Sequence, residues 1–408
     1  MLTADDNLPQ LTADLPGIGG QIKQRLEDFR VEELPLYQPC GQGTHLYFRV
    51  TKAGIPTPAA VDRIARHMHV RPQEIGVAGL KDAQAVTSQM MSLEHADPAR
   101  LGRFRDRQVR LEILGLHNNK LRPGHLAANR FAIRIRGVCP DELPRAREIL
   151  DVLIRRGVPN YFGPQRFGAR GDTAALGEAL VRADLAEFVA ILLGRSAPDD
   201  PPDCKAARDA FDSGFYVRAL QRWPRRYADQ RKALAAYKRT NSPAAALSAV
   251  DKRMRRLFVS AFQSAIFNEV LARRLDSIDR VLPGDLARKS DSGGVFTVED
   301  AAAEQPRAEK FEISPTGPLV GSRSTFAGGE PGRIEREALG RHGVGPDDFK
   351  HIGSLKVAGA RRALRFALGE PTITAGGDQH GPFIEIAFAA PSGCYATVAL
   401  HEIMKAGA

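Results

Sequence analysis

Gly76-Val-Ala-Gly-Leu-Lys-Asp-Ala-Gln-Ala-Val-Thr-Ser-Gln89 places one carboxylate, Asp82, beside Lys81, just after a short apolar run and a glycine. Thr87 and Gln89 follow. Gly76 and Gly79 would let the backbone bend or come close to a ligand. The flanking apolar residues would hold the turn on a sheet, a support rigid enough to aim a reactive group. Taken alone, Gly-x-Lys-Asp is far more often a surface turn with a Lys–Asp pair, because short matches arise by chance. Its surroundings decide between the two.

Outward from this stretch, the first 140 residues alternate. Leu46, Phe48 and Val50 alternate with His45, Tyr47 and Arg49. Val109, Leu111 and Ile113 alternate with Arg110 and Glu112, and Phe131, Ile133 and Ile135 with Ala132, Arg134 and Arg136. Each set predicts a half-buried strand. Thr57-Pro58 reads as a helix start, with Thr57 as N-cap and Pro58 at the first helical position. Val61, Ile64, Ala65 and Met68 then recur at helical spacing. Strands and helices mix without a regular βαβ rhythm, so an antiparallel-rich α+β layer is expected rather than a doubly wound sheet.

Beyond Arg166-Phe167-Gly168 the pattern turns helical, over Thr173–Val181 and Leu185–Leu193. Asp251–Leu275 sets Met254, Leu257, Phe258, Ala261, Phe262, Ala265 and Ile266 on one stripe. Gly, Pro and Asp punctuate Pro283–Pro346, and Thr325–Arg333, with three glycines and a proline, predicts a flexible loop. Alternation returns at Ile384, Ile386 and Phe388, and Tyr395–Met404 predicts a closing helix. These patterns describe one α+β domain split in sequence by a mostly distinct insert.

Composition narrows the function. The 408 residues exceed the usual single-domain size, so two domains are the expectation. Arg218–Arg256 holds twelve Lys and Arg against only Asp229 and Asp251, a net +10 that equals the charge of the whole chain. Such a patch suits a phosphate backbone, the alternative being a solvated helix face. Four cysteines, at 40, 139, 204 and 394, show no Cys-x-x-Cys spacing, which argues against zinc or a disulfide framework and fits a reducing cytosol. No His-Glu-x-x-His set, Gly-x-Gly-x-x-Gly loop or P-loop occurs, so neither metal nor nucleotide cofactor is expected. No run approaches the ~20 apolar residues of a membrane span. The expectation is a soluble, cytoplasmic protein with no membrane partner.

Six further segments accompany Gly76–Gln89: Glu27-Asp28-Phe29-Arg30-Val31-Glu32-Glu33, Asn129-Arg130-Phe131, Pro159–Gly168, Pro315-Thr316-Gly317-Pro318-Leu319, Gly359-Ala360-Arg361-Arg362 and Ser392-Gly393-Cys394-Tyr395-Ala396-Thr397. Together and in this order they closely resemble the D-type tRNA pseudouridine synthases, the TruD family, from about Ile22 to about Met404. The resemblance implies an α+β pseudouridine-synthase core with a mixed, largely antiparallel sheet, formed by 1–156 and 358–408. It also implies an inserted TRUD-type α/β domain at 157–357. Its implied activity is isomerisation of one tRNA uridine, usually uridine 13 in the D-arm region, to pseudouridine.

That reaction cuts the N-glycosidic bond, turns the uracil and joins C5 to the sugar, with no redox or group carrier required. A single carboxylate serves such chemistry as nucleophile or base. The resemblance assigns it to Asp82. Lys23 matches a basic position in the family and is expected to keep Asp82 ionised. Lys81 is read either as a phosphate contact or as facing solvent. Phe29 and Phe131 match family aromatics, with an ordinary core aromatic as the alternative for Phe131. Asn129 matches a polar site residue that would orient Asp82 or the uracil. Tyr395 stands where these enzymes place a ring against the extruded base, often Phe in this type. Arg166 is read as holding phosphate and Tyr161 as stacking on RNA, or else their segment fastens the insert to the core. The same two readings apply to Arg361 and Arg362, where the chain would re-enter the core. The competing function is a non-catalytic tRNA-binding or chaperone protein that keeps the fold. A monomer suffices for either.

Overall fold

The computed structural model describes residues 8–405 apart from His351 and Ser354. Two compact units divide the chain: Gln10–Val158 with Phe366–Ala408, and Pro159–Arg365. The return crossing therefore falls after Arg365 rather than after 357. The reason is a strand. Ala360–Ala363 pairs antiparallel with Ile313–Leu319, Arg361 opposite Pro318 and Arg362 opposite Gly317, which keeps both arginines in the inserted unit.

The split unit is built on an eight-stranded sheet. Its main order is Gly369–Asp378, Gly381–Pro391, Leu126–Arg136, Phe29–Pro35, Val86–Glu94, His45–Ala53 and Val109–His117, with Gly76–Val77 beside Val86–Glu94. Phe29–Pro35 and Val86–Glu94 run parallel, and the other neighbours are antiparallel. The sheet is thus mixed and largely antiparallel.

Two strands depart from simple alternation. His45–Ala53 is buried on both faces, because Phe48 and Val50 pack with Ile64 and Met68 while Tyr47 packs with Ala78, Met90, Leu121 and Leu126. Along Val109–His117, Tyr47 faces Gly115 but Phe48 faces Ile113, so Leu114 is an extra residue. That bulge breaks the alternation and leaves Ile113 41 % exposed.

The inserted unit is helical around Lys252–Arg273, with a four-stranded antiparallel sheet of Ala360–Ala363, Ile313–Leu319, Leu286–Lys289 and Val295–Thr297. Helix Thr173–Val181 crosses the long helix closely enough that a Cβ on Gly177 would lie 2.1 Å from the Phe258 carbonyl oxygen. On the long helix Phe258, Ala261, Phe262 and Ile266 are buried as the spacing predicts, but Leu257 is exposed. Val259, Phe267, Val270 and Leu271 join the buried face instead. The expected loop at Thr325–Arg333 is a loop only in its first half, because helix Gly329–Arg341 begins within it. Pro331 is tolerated in a first turn, where its missing N–H has no intrahelical partner to lose.

Candidate active site

Asp82 sits in the loop between Gly76–Val77 and Val86–Glu94. Gly76 is needed for close packing within the protein, since a Cβ there would lie 2.4 Å from the Leu121 carbonyl oxygen. Gly79 meets no such restriction.

The loop backbone is pinned from below. The Lys81 N–H donates to Thr57 Oγ1 at 2.9 Å, Thr57 donates to Gln89 Oε1 at 2.9 Å, and Gln89 Nε2 donates to the Gly79 carbonyl at 3.0 Å. Thr57 is therefore not the N-cap of its helix. Helix Thr57–Met68 is preceded by Pro56 at the cap position, and the Thr57 hydroxyl holds the loop instead. Beneath lies Lys52, 1 % exposed, whose ammonium donates to the carbonyls of Ile55 and Asp82, both at 2.7 Å. Burial pushes the Lys52 ammonium down to about 8, against the pull of nearby Asp82.

The Asp82 side chain takes no part in these braces: it is about one-third exposed and is ion-paired to Lys23. The Gln84 N–H donates to Asp82 Oδ1 at 3.0 Å. Burial acts upward on the carboxyl, but the hydrogen bonds from Lys23 and the loop amides outweigh it and hold the group below its ordinary range. Asp82 is thus a carboxylate at neutral pH. Lys23 is presented from a left-handed backbone conformation, φ +58°, with its ammonium 4.6 Å from the centroid of the Phe29 ring.

Phe29, Val31 and Glu33 share one face of their strand, as do Asn129 and Phe131 of the neighbour. The register sets Val31 opposite Phe131 and Glu33 opposite Asn129, and then Asn129 opposite Ala390. Phe29 and Phe131 meet edge to face at 6.3 Å, and Phe131 meets Phe388 at 5.6 Å. Both predicted aromatics are buried, so they form a floor beside Lys23 rather than a free stacking face. Asn129 Oδ1 is buried without a hydrogen-bond partner.

Lys81 neither faces solvent nor stands free for phosphate. Its ammonium lies 2.9 Å from Glu33, with side chains 6 % and 0 % exposed. Glu33 also accepts the Met90 N–H at 3.1 Å. A carboxylate so buried needs a cation, and the adjacent loop supplies it. Tyr395 is half-buried at the N-cap position of helix Ala396–Met404. The turn before it is tied to the strand carrying Asn129, where the Ser392 N–H donates to the Ala127 carbonyl at 3.3 Å.

The remaining predicted contacts belong to the inserted unit and are engaged within it. Arg166 donates to Ser260 and, at 3.1 Å, to Ser264 on the long helix. Tyr161 is 2 % exposed, so it offers RNA no ring face. Arg361 donates to the Thr316 carbonyl at 2.6 Å and to Glu335 at 2.7 Å. Arg362 donates to the Asn160 carbonyl at 3.2 Å and covers the Phe162 ring at 4.1 Å. Pro159–Gly168 and Gly359–Arg362 thus interlock inside one unit.

Among the described residues no cluster of three His, Cys, Asp or Glu could hold a metal. No described helix is long and apolar enough to cross a membrane. Sequence reading gave Lys52 and Glu33 no individual role and Thr57 only that of an N-cap. Their signal was present as polar residues inside strand and helix starts, but only the fold reveals which loop they support.

The chain as a whole, including the loop of Asp82 and the strand and helix that brace it, is similar to known proteins over nearly its full length. The profile of the tRNA pseudouridine synthase D (TruD) family matches residues 7–403. A tRNA pseudouridine synthase D from Geobacter metallireducens is 44 % identical over 398 residues, covering 97 % of this chain and 98 % of that protein. One from Syntrophotalea carbinolica is 40 % identical, with 97 % and 98 % covered. The crystal structure of a Methanosarcina mazei protein described as tRNA pseudouridine synthase D superposes with a TM-score of 0.86 at 27 % identity, covering 99 % of this chain and 98 % of that one. The chain belongs to the TruD family.

Proposed function

We propose that this protein isomerises uridine 13 of tRNA to pseudouridine, with Asp82 as the catalytic carboxylate. The observation that carries the reading is the Asp82 carboxylate, held ionised by Lys23 on a loop whose backbone is fixed from three sides. A group fixed in this way loses little by reorganising as the reaction proceeds. In the reaction the bond from ribose C1′ to uracil N1 breaks, the base turns, and a bond from C1′ to C5 forms. The C5 proton leaves and N1 gains one, so atoms balance and nothing is oxidised. Asp82 acts as nucleophile or as base.

The base must leave its stack to reach Asp82, and aromatic rings commonly hold an extruded base. Tyr395 is our candidate for that contact. The unpartnered Asn129 Oδ1 suits the N3–H donor of uracil. Lys23 sets the charge of Asp82, Phe29 lies against the Lys23 ammonium, and Phe131 backs Phe29. Lys81 and Arg166 have internal partners and are left out of the substrate-contacting set.

The test incubates the pure protein with unmodified tRNA, without added cofactor or metal. Pseudouridine is then mapped by carbodiimide labelling and primer extension. A single new stop at position 13, lost in Asp82→Asn while tRNA binding persists, is the expected result. Substantial conversion by Asp82→Asn would remove Asp82 from its role, and a stop elsewhere would remove the assignment to position 13.

A further inference from the structure

The inserted unit carries an open groove of about 730 Å³ lined by Phe215, Tyr216, Val217, Arg218, Arg222 and Lys238, among others. Phe215 is 61 % exposed and Val217 54 % exposed. The three cations are exposed, and none has an acidic partner or a hydrogen bond among the described residues. Other exposed arginines of the same basic stretch, Arg225, Arg239 and Arg256, are equally uncommitted among the described residues, and what sets these three cations apart is the exposed ring of Phe215 among them. The half-buried Arg231, by contrast, is spent on the carbonyls of Leu220 and Trp223, at 2.9 and 2.6 Å.

The backbone explains how the aromatic is displayed. Helix Pro202–Asp212 ends in a left-handed Gly214, φ +78°, with the Phe215 N–H on the Ala210 carbonyl at 2.8 Å and the Gly214 N–H on the Phe211 carbonyl at 2.9 Å. In this Schellman ending the residue after the glycine usually packs its apolar side chain back on the helix. Here the residue it would cover is Ala210, too small to hide a phenyl ring, so Phe215 stays in solvent. Its neighbours are fixed. Tyr216 meets Phe211 at 5.3 Å and Tyr237 at 5.4 Å, which puts a rigid aromatic cluster beside the groove.

A lone exposed phenylalanine needs no explanation. One that stands among three uncompensated cations, on a firm aromatic base, has the composition of a single-strand nucleic-acid platform, in which a ring stacks on a base and cations hold the flanking phosphates. We propose that this groove binds an unpaired nucleotide of the tRNA substrate, its base on Phe215 and its phosphates on Arg218, Arg222 and Lys238. The inference rests on the functional reading above, because it takes the RNA to be the tRNA being modified. The groove serves substrate capture and leaves the chemical step alone.

Binding is measured by anisotropy of labelled unmodified tRNA with the Asp82→Asn protein, across a salt series. Turnover is measured in the wild-type background. Phe215→Ala is expected to weaken binding roughly tenfold. Arg218→Gln with Arg222→Gln and Lys238→Gln should lower the slope of log affinity against log salt by about two, as for three phosphate contacts to a single strand. Both should raise KM and leave kcat at saturating tRNA unchanged. Phe215→Trp should retain affinity, and its added fluorescence should be quenched by tRNA. Unchanged thermal melting of these surface variants shows that the fold is intact. Unchanged affinity and slope in both variants would overturn the groove while leaving the pseudouridine reading in place. Absence of pseudouridine with wild-type protein would instead overturn that reading.

Discussion

Lys23, Lys52 and Lys81 surround the loop of Asp82, and each has a partner inside the protein: a carboxylate for Lys23 and Lys81, backbone carbonyls for Lys52. Arg218, Arg222 and Lys238 line a groove and have none among the described residues. The two regions use positive charge for opposite ends. Around Asp82, fixed charge sets geometry and protonation, so the cations are paired and largely withdrawn from solvent. On a capture surface, a cation already paired would have to break that pair before it could take a phosphate. Charge count alone does not separate these uses; partners do.

The contrast is broken most directly by kinetics. Asp82→Asn should lower kcat on the order of 10⁴-fold with tRNA affinity retained. The groove variants should do the reverse, and an Asp82→Asn enzyme limited only in binding would end the distinction. The next largest effect is on stability. Lys81→Met strands the Glu33 carboxylate in the interior and should cost about 3–5 kcal/mol in urea denaturation, whereas Lys81→Met with Glu33→Gln should recover most of it. If the double variant is no better than the single, the two groups do not form the unit described.

Burial, not the unit in which a charge sits, should govern the behaviour, and His342 sharpens that point. It lies inside the inserted unit, 3.4 Å from both Glu178 and Glu269, and their hydrogen bonds raise its pKa to about 9. A raised folded-state value means the stabilisation is complete below about 6.5 and is lost as pH rises through about 9. His342→Asn should therefore cost on the order of 2–3 kcal/mol at pH 6 and almost nothing near pH 10. A pH-independent difference would refute the charged triad.

A smaller effect is expected from Lys52→Met, which leaves the Ile55 and Asp82 carbonyls without their donor. It should cost about 1–3 kcal/mol and lower kcat more than it changes KM. Smallest in amplitude, Lys23→Met should move the acid limb of the kcat profile to higher pH, because Asp82 then loses the hydrogen bond and charge that hold its pKa down. An unmoved limb would mean that Asp82 is not the group seen in the profile.

The sequence carried the fold class, the family and the central pair of Asp82 with Lys23, because these rest on local patterns and on a motif order that few proteins share. It did not carry what distant contacts decide. Two prolines and a glycine in Pro315–Leu319 argue against a central strand, yet Ile313–Leu319 is one. It is paired to one neighbour along its first half and to another along its second, where a missing N–H is tolerated. Tyr47 alternates as if exposed but is covered by a segment far along the chain. Arg166, Arg361 and Tyr161 have the side chains of an RNA contact, and only their hydrogen bonds and burial reveal them as interior braces. Asp28, quoted within a motif, is buried on Arg136, which also grips Asp378 at 2.7 Å.

The antiparallel ladder that sets Ile133 against Ile386 joins residues on either side of the insert. On the ribosome, Leu126–Arg136 emerges long before Gly381–Pro391, and the intervening polypeptide must be made first. Until then one side of that strand is an open edge, a template for wrong pairing between nascent chains. Such long sequence separation slows maturation, so a stop codon late in the gene would yield an aggregation-prone product rather than a weak enzyme.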